Sequence, residues 1–377
     1  MADKPRKILA CSCDDSMELQ GDALRRACRG ADVQTATQLC RAEAERFRAI
    51  AAEGGAVTVA CTQEAPLFSE IAAEAGGKAA LTFANIRETA GWSSDGAKAM
   101  PKIAALLAAA SEPMPDIPYV TLQSQGVILI YGRDEQAVET ARLLKDHLDV
   151  TVLLTPQAAI TPPRATDFPV VSGRIQSAKG FLGSFEILVD DYAVPRPSSR
   201  GALSLGPARS GAKSQCDILL DISGGAPLFP APDLREGYLR ADPGDPAAVL
   251  RAAFRARDLT GTFGKPRYIT FTEDLCAHSR SKIVGCRRCL DLCPTGAITP
   301  AGDHVAIDAR ICAGCGQCAA ACPTGAAAYA LPPADGLMRK LRVLLTTYRD
   351  ADGRQPIVLL HDEEHGAELI DALARHG

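Results

Sequence analysis

Neither sign of charge dominates this sequence. Its 41 basic and 45 acidic side chains leave a formal charge of -4, with no basic run, so no field exists to gather a phosphate backbone and no nucleic-acid partner is expected. Long apolar stretches are missing too. No window approaches the roughly 18 uninterrupted apolar residues of a bilayer span, and the apolar stretch near the amino terminus, Ile8 to Ala10, is too short for the core of a secretory signal. The expectation is a cytoplasmic chain without a membrane span. There is no nucleophile elbow and no phosphate-binding loop. A small disulfide scaffold is excluded by length, because 377 residues suffice for about two or three domains with cores of their own.

What the chain does have is cysteine. Fourteen thiols in a reducing compartment stay free, which leaves metal binding or redox chemistry as the reason for so many. Eight of them lie in or just before a repeat. Cys286, Cys289 and Cys293, followed by Pro294-Thr295-Gly296-Ala297, recur 29 positions later as Cys315, Cys318 and Cys322 followed by Pro323-Thr324-Gly325-Ala326. The second copy is complete. Cys312-x2-Cys315-x2-Cys318-x3-Cys322-Pro is the run that holds bacterial cubane clusters, three thiolates on a turn kept open by Gly314 and Gly316 and the fourth reaching the other cube. Cys293 is therefore expected to join Cys312, Cys315 and Cys318, while Cys322 joins Cys286 and Cys289.

The first copy has Ile283 where the second has Cys312, and its nearest upstream thiol is Cys276, ten positions before Cys286. Either a longer loop, Ala277 to Gly285, brings Cys276 to the vacant corner, or that cube has three irons. The loop is favoured, since Cys276 lies on the correct side and a free thiol beside a cluster would be a liability. His278, the other candidate for the corner, reads better as a solvent-facing loop residue. Zinc also accepts Cys-x2-Cys, but it takes four ligands in two separated pairs rather than duplicated triplets followed by Cys-Pro. Two 4Fe-4S clusters are expected.

The fold class expected is α/β. Strands at Lys7–Cys11, Val57–Cys61 and Ala79–Phe83 alternate with helices at Leu19–Arg29, Ala42–Ala52 and Pro66–Ala75, a rhythm that argues for a parallel-sheet amino-terminal domain over residues 1–112. After a proline-rich linker comes a second strand-helix-strand unit, Val127–Tyr131, Glu135–His147 and Val150–Leu154. It opens a middle domain over 119–262 that otherwise reads as largely irregular, with strands at Phe185–Val189 and Asp217–Asp221, loop over Pro195–Lys213 and a helix at Pro246–Arg257. A small α+β ferredoxin-like domain spans 268–332. Residues 333–377 read as a helix, a strand at Ile357–Leu360 and a second helix at Ala367–Ala374, the start of a truncated domain or an addition to an earlier sheet.

Cys11 with Cys13, and Cys61, fall just past the carboxyl ends of expected parallel strands, where such sheets bind ligands. The words around them, Ala10-Cys11-Ser12-Cys13, Leu39-Cys40, Val59-Ala60-Cys61 and Ala84-Asn85-Ile86-Arg87-Glu88 with Trp92, resemble the amino-terminal domain of the A-type polypeptide of heterodisulfide reductase. The resemblance covers about the first 95 residues and implies a third iron–sulfur cluster on Cys11, Cys13, Cys40 and Cys61. Asp14 stands where that family has a glycine, and Ala90 where it has a further cysteine. The family also carries a flavin domain of the dinucleotide-binding kind, a fold the middle domain would retain in degenerate form. There only Gly132 remains at the turn, and Arg133, Asp134 and Glu135 put bulk and two carboxylates where a pyrophosphate would approach, so flavin binding is not expected. The resemblance implies donor and acceptor oxidoreductases of the formate dehydrogenase or heterodisulfide reductase type as partners. Taken together, the residues point to a subunit that relays single electrons; the alternative is a catalytic subunit of a heterodisulfide reductase-like enzyme.

Overall fold

The computed structural model describes residues 5–156, 158, 160–162, 167–199, 201–278, 285–362 and 364–376. They fall into two compact units, Met1–Pro115 with Asp335–Gly377, and Asp116–Ala334.

The first unit is built on β1 (Arg6–Cys11), α1 (Gly21–Ala27), β2 (Ala31–Ala36), α2 (Ala44–Glu53), β3 (Gly55–Val59), α3 (Ala65–Glu74), β4 (Ala79–Phe83) and α4 (Met100–Ala110). Its four strands are parallel in the order β2-β1-β3-β4. Successive side chains of a strand point to opposite faces, and both faces of β1 are buried. Ile8 and Ala10 pack with Leu24 of α1 and Ile103 and Leu107 of α4, while Leu9 and Cys11 pack with Phe47 of α2 and Phe68 of α3. The chain leaves β1 toward β2 on one side and returns to β3 on the other. The carboxyl ends of β1 and β3 therefore flank the crevice where open parallel sheets bind ligands. β2 and α4 were not expected. In β2 (Ala-Asp-Val-Gln-Thr-Ala) only Val33 is buried, as suits a polar edge strand.

The second unit opens with β5 (Tyr119–Ser124), β6 (Val127–Gly132), α5 (Glu135–Leu144), β7 (Asp149–Leu154), β8 (Val170–Phe181), β9 (Ser184–Ala193), β10 (Ala212–Cys216), β11 (Ile218–Ile222), β12 (Tyr238–Arg240), α6 (Pro246–Arg257) and β13 (Gly261–Pro266). Seven of these strands form one mixed sheet in the order β10-β9-β8-β7-β6-β11-β12. Helices α5 and α6 cover one face, where Ile128, Ile130, Val152, Ile218 and Leu220 meet Ala137, Ala141, Val249 and Ala253. Its other face carries a second core of Leu129, Leu153, Ile175, Ile187 and Leu219. Asp217, between β10 and β11, donates its N–H to the Val127 carbonyl of β6 at 2.8 Å, and Phe229 stacks against both Phe185 and Tyr238 with centroids 5.6 and 5.0 Å away.

The middle region is thus far more regular than expected. Of the β8–β9 hairpin, Phe185–Val189 in β9 was expected, whereas β8 escaped notice because Gly, Ser, Arg, Gln and Lys interrupt its apolar residues and it is held by main-chain pairing with β9. The loop expected at Pro195–Lys213 gives way to β10 at Ala212. Gly132 is required by packing, since a Cβ there would lie 2.4 Å from that of Ala137. Asp134 caps α5, its Oδ1 accepting the Gln136 N–H at 3.1 Å, so a carboxylate of the chain already occupies the positive helix start.

The unit ends with β14 (Ile269–Phe271), α7 (Arg288–Leu292), β15 (Ile298–Ala301), β16 (His304–Ile307), α8 (Gln317–Ala321) and β17 (Ala327–Tyr329). β14 pairs with β17 and β15 with β16, each antiparallel. This is a small ferredoxin-like α+β domain. The chain then enters α9 (Ala334–Asp350) and α10 (Gly366–His376). Arg339 of α9 lies 3.5 Å from Glu112, and Asp350 lies 3.8 Å from Arg29. Between these helices, Ile357–Leu360 forms no strand. No strand among the described residues pairs with it, and Ile357 is 93% exposed. Among the described residues no helix is long and apolar enough to cross a membrane.

Leu220, fully buried beneath α6, tests this core. Leu220→Ala is expected to cost about 2–5 kcal/mol in urea unfolding of the second unit, and a loss below about 1 kcal/mol would contradict the packing.

Candidate metal centres

In the carboxyl-terminal repeat, each copy forms a turn, a short helix and a cysteine at the helix end. Cys293 ends α7 at φ -72°, ψ 109° and Cys322 ends α8 at φ -72°, ψ 114°, so the repetition in sequence is a repetition in backbone. Each is followed by proline, by a threonine hydroxyl near its sulfur (3.7 Å for Thr295, 3.6 Å for Thr324) and by a left-handed glycine, Gly296 or Gly325.

The turn of the second copy depends on Gly314 and Gly316, at φ +76° and +73°. A Cβ on Gly314 would press 2.7 Å from the Tyr268 ring, and Tyr329 Oη donates to the Gly314 carbonyl at 2.8 Å. The turn therefore packs against two tyrosines. Around it Cys318 is buried and its thiol is pushed up to about 11, chiefly by burial, with Cys312, Cys315 and Cys293 adding negative charge. Cys293, from the first copy, is near enough for its charge to act on both Cys312 and Cys318.

The other group is complementary. Cys276, Cys286, Cys289 and Cys322 line one cavity together with His278 and Phe271. Burial raises the Cys289 thiol, as do the neighbouring Cys286 and Cys276. The segment after Cys276 returns to the first triplet by main-chain bonding, with Cys286 N–H donating to the Ala277 carbonyl at 3.1 Å. Residues 279–284 of that loop, with Ile283, lie outside the described residues. His278 is not solvent-facing as expected. It is buried, held inward by its Nδ1–H, which donates to the Cys286 carbonyl at 2.8 Å. At Cys322 burial works against ionisation, but the N–H of Ala327, 3.5 Å from the sulfur, and the hydroxyl and N–H of Thr324 outweigh it and hold the thiol below its usual range. Since the thiolate is the ligand, these donors favour metal binding.

The amino-terminal cysteines also meet. Cys11, Cys13, Cys40 and Cys61 line a cavity of about 310 Å³ at the carboxyl ends of β1 and β3, with Phe68 and Arg87. Cys11 Sγ donates to the Thr37 carbonyl at 3.2 Å, and Cys13 Sγ accepts from the Arg87 guanidinium at 3.2 Å. Burial raises both Cys40 and Cys61; Glu64 adds to it at Cys40, whereas the Glu64 N–H opposes it at Cys61. Three consecutive residues, Cys13, Asp14 and Asp15, have φ of +55°, +60° and +55°. Left-handed conformations cost non-glycine residues about 1–2 kcal/mol each, and such strain collects at functional sites. Asp14 thus adopts the backbone that a glycine would take without strain. Arg87 is held over the Trp92 ring at 4.4 Å and begins a π-helical turn, Arg87–Gly91. Its importance to Cys13 was not legible in the sequence, although the surrounding words were. Cys28 and Cys216 are buried core thiols, raised by burial to about 11 and about 12.

Among the described residues no three His, Cys, Asp or Glu side chains are grouped to hold a metal ion. In two places four thiols instead line a cavity together, Cys276, Cys286, Cys289 and Cys322 in one and Cys11, Cys13, Cys40 and Cys61 in the other.

Comparison with known families bears on the carboxyl-terminal repeat. The model of the 4Fe-4S dicluster domain matches residues 283–326. The match supports an iron–sulfur protein. The match takes in seven of the eight cysteines and leaves Cys276 outside, and iron–sulfur electron transfer is the function such a domain supports. No curated protein matches the chain.

Gly314→Ala should strain the turn by about 1–2 kcal/mol and drive a methyl group into the Tyr268 ring. The expected outcome is a clear fall in iron retained after anaerobic desalting, and wild-type iron content would contradict the role given to this turn.

Proposed function

We propose that the protein relays single electrons between a donor and an acceptor oxidoreductase through two 4Fe-4S clusters, one held by Cys276, Cys286, Cys289 and Cys322, the other by Cys293, Cys312, Cys315 and Cys318. The observation that supports this is contact across the copies: Cys322 lines the cavity of Cys276, Cys286 and Cys289, and the charge of Cys293 acts on Cys312 and Cys318. The donor sets fit, being all thiol, with hydroxyl and N–H groups aimed at the sulfurs. The clusters would supply one-electron redox chemistry. The chain holds them close together, limits water, and sets potentials that span about -700 to +450 mV for such centres.

The four cysteines around the cavity of the first unit would hold a third cluster, as in the heterodisulfide reductase domain that the sequence resembles. Their convergence, the Arg87–Cys13 contact and the strained Cys13–Asp15 backbone support this. They also keep alive a second reading, a catalytic heterodisulfide reductase-like protein in which this cavity performs chemistry and the dicluster domain supplies electrons. The capped start of α5 argues against flavin in the middle domain. Partners would be oxidoreductases of the formate dehydrogenase or heterodisulfide reductase type, in the cytoplasm.

Anaerobic iron and sulfide quantitation with electron resonance is the direct test. Two cubes give about eight irons per chain and a third raises this to about twelve. Cys276→Ser should alter or abolish one resonance and leave the other, and an unchanged spectrum would remove Cys276 from the ligand set. Cys40→Ser with Cys61→Ser should cost about four irons if the third site is filled; no loss makes these cysteines structural. Flavin bound to the purified protein would defeat the pure relay in favour of the second reading.

A further inference from the structure

Lys265 and Arg235 are cations buried between the seven-stranded sheet and the dicluster domain, within the same unit. Lys265, at the end of β13, is 4% exposed, and Arg235, just before β12, is 7% exposed. Lys265 Nζ donates to the Arg310 carbonyl at 2.9 Å. Arg235 donates to the carbonyls of Gly180 at 3.0 Å and Thr295 at 2.6 Å, and lies over the Phe229 ring. Arg310 is two residues before Cys312, and Thr295 is two residues after Cys293. Each cation therefore grips the main chain beside a different member of the same cysteine group.

Burying these charges is expensive unless a countercharge compensates them. The carboxylate paired with Lys265, Glu236 at 3.3 Å, is half exposed. Arg235 is bound to carbonyl oxygens and feels the negative charge of Asp308 and Cys293. Its Nε–H is buried without a hydrogen-bond partner among the described residues. A cube with four thiolates is negative in both oxidation states, and it supplies what is missing: a countercharge for both cations, and sulfur acceptors beside an unused donor.

Resting on the relay reading above, we propose that Arg235 and Lys265 raise the reduction potential of the cluster held by Cys293, Cys312, Cys315 and Cys318 above that of its twin, making it the electron's resting place within the pair. Reduction adds one negative charge to a cube, and a buried cation nearby stabilises that charge far more than one in water. Arg288, a cation lining the other cavity, is exposed, where solvent and salt screen it. In transfer between the two, one cluster is oxidised by one electron and the other reduced by one. No bond forms or breaks and no proton is needed, because the countercharge is already built in.

The test is a potentiometric titration of the full-length reconstituted protein followed by electron resonance, with Cys276→Ser identifying which signal belongs to which cluster. Lys265→Met should make reduction of the Cys312 cluster at least tenfold less favourable, a downward shift of about 59 mV, with the other potential unmoved. Lys265→Arg, which keeps the charge, should restore it. Arg235→Met should shift the same signal in the same direction; if its lost anchors prevent folding, the Lys265 pair decides alone. Intact clusters whose potentials ignore the Lys265 substitution, or shift equally, overturn this assignment and leave the relay standing. A chain that takes up no iron overturns both.

Discussion

Thiolates brought together in a protein interior repel one another and lose their hydration, and the carboxyl-terminal domain is organised around that cost. Burial pushes up the thiols of Cys289, Cys312 and Cys318, so each group is unfavourable on its own terms. The fold counters with left-handed glycines that expose N–H groups in the turns, with threonine hydroxyls placed two residues after Cys293 and Cys322, and with a lysine near Cys312. Metal binding would convert the remaining penalty into folding energy, since ligands that repel as anions attract once they share iron.

The duplication extends this logic. Because Cys293 and Cys322 sit at equivalent helix ends with the same backbone conformation, each copy projects one sulfur toward the other copy's turn. If the clusters are held as proposed, neither copy would close its own cage and the two halves would form together. The middle domain adds asymmetry to this near-symmetric pair. Arg235 and Lys265 bond the main chain on one side of it, at Thr295 and Arg310, while the start of α5 is capped by its own Asp134 carboxylate.

The amino-terminal unit solves a similar problem by different means. A parallel sheet delivers Cys11, Cys13 and Cys61 to one crevice through the ends of β1 and β3, and Cys40 arrives on the turn before α2. The Cys13–Asp15 backbone is left-handed throughout, and the Arg87 guanidinium donates to the Cys13 sulfur beside it.

Local pattern determined much of this protein. The Cys-Pro repeat announces its own chemistry because spacing of two and three residues fixes which sulfurs can share a turn, and the strongly periodic elements β1, β4, β6, α5 and α6 follow from their apolar order. The polar strands β2, β8 and β10 did not show themselves, since they are held by neighbours distant in sequence, while Ile357–Leu360 read as a strand but pairs with none among the described residues. The nearness of Cys276 to Cys286 and Cys289 and the meeting of four amino-terminal thiols were expected from spacing and resemblance; the inward position of His278, the contact of Arg87 with Cys13, and the burial of Arg235 and Lys265 belong to tertiary structure alone. Each depends on residues distant along the chain being brought within a few ångströms, and no short-range pattern encodes that distance.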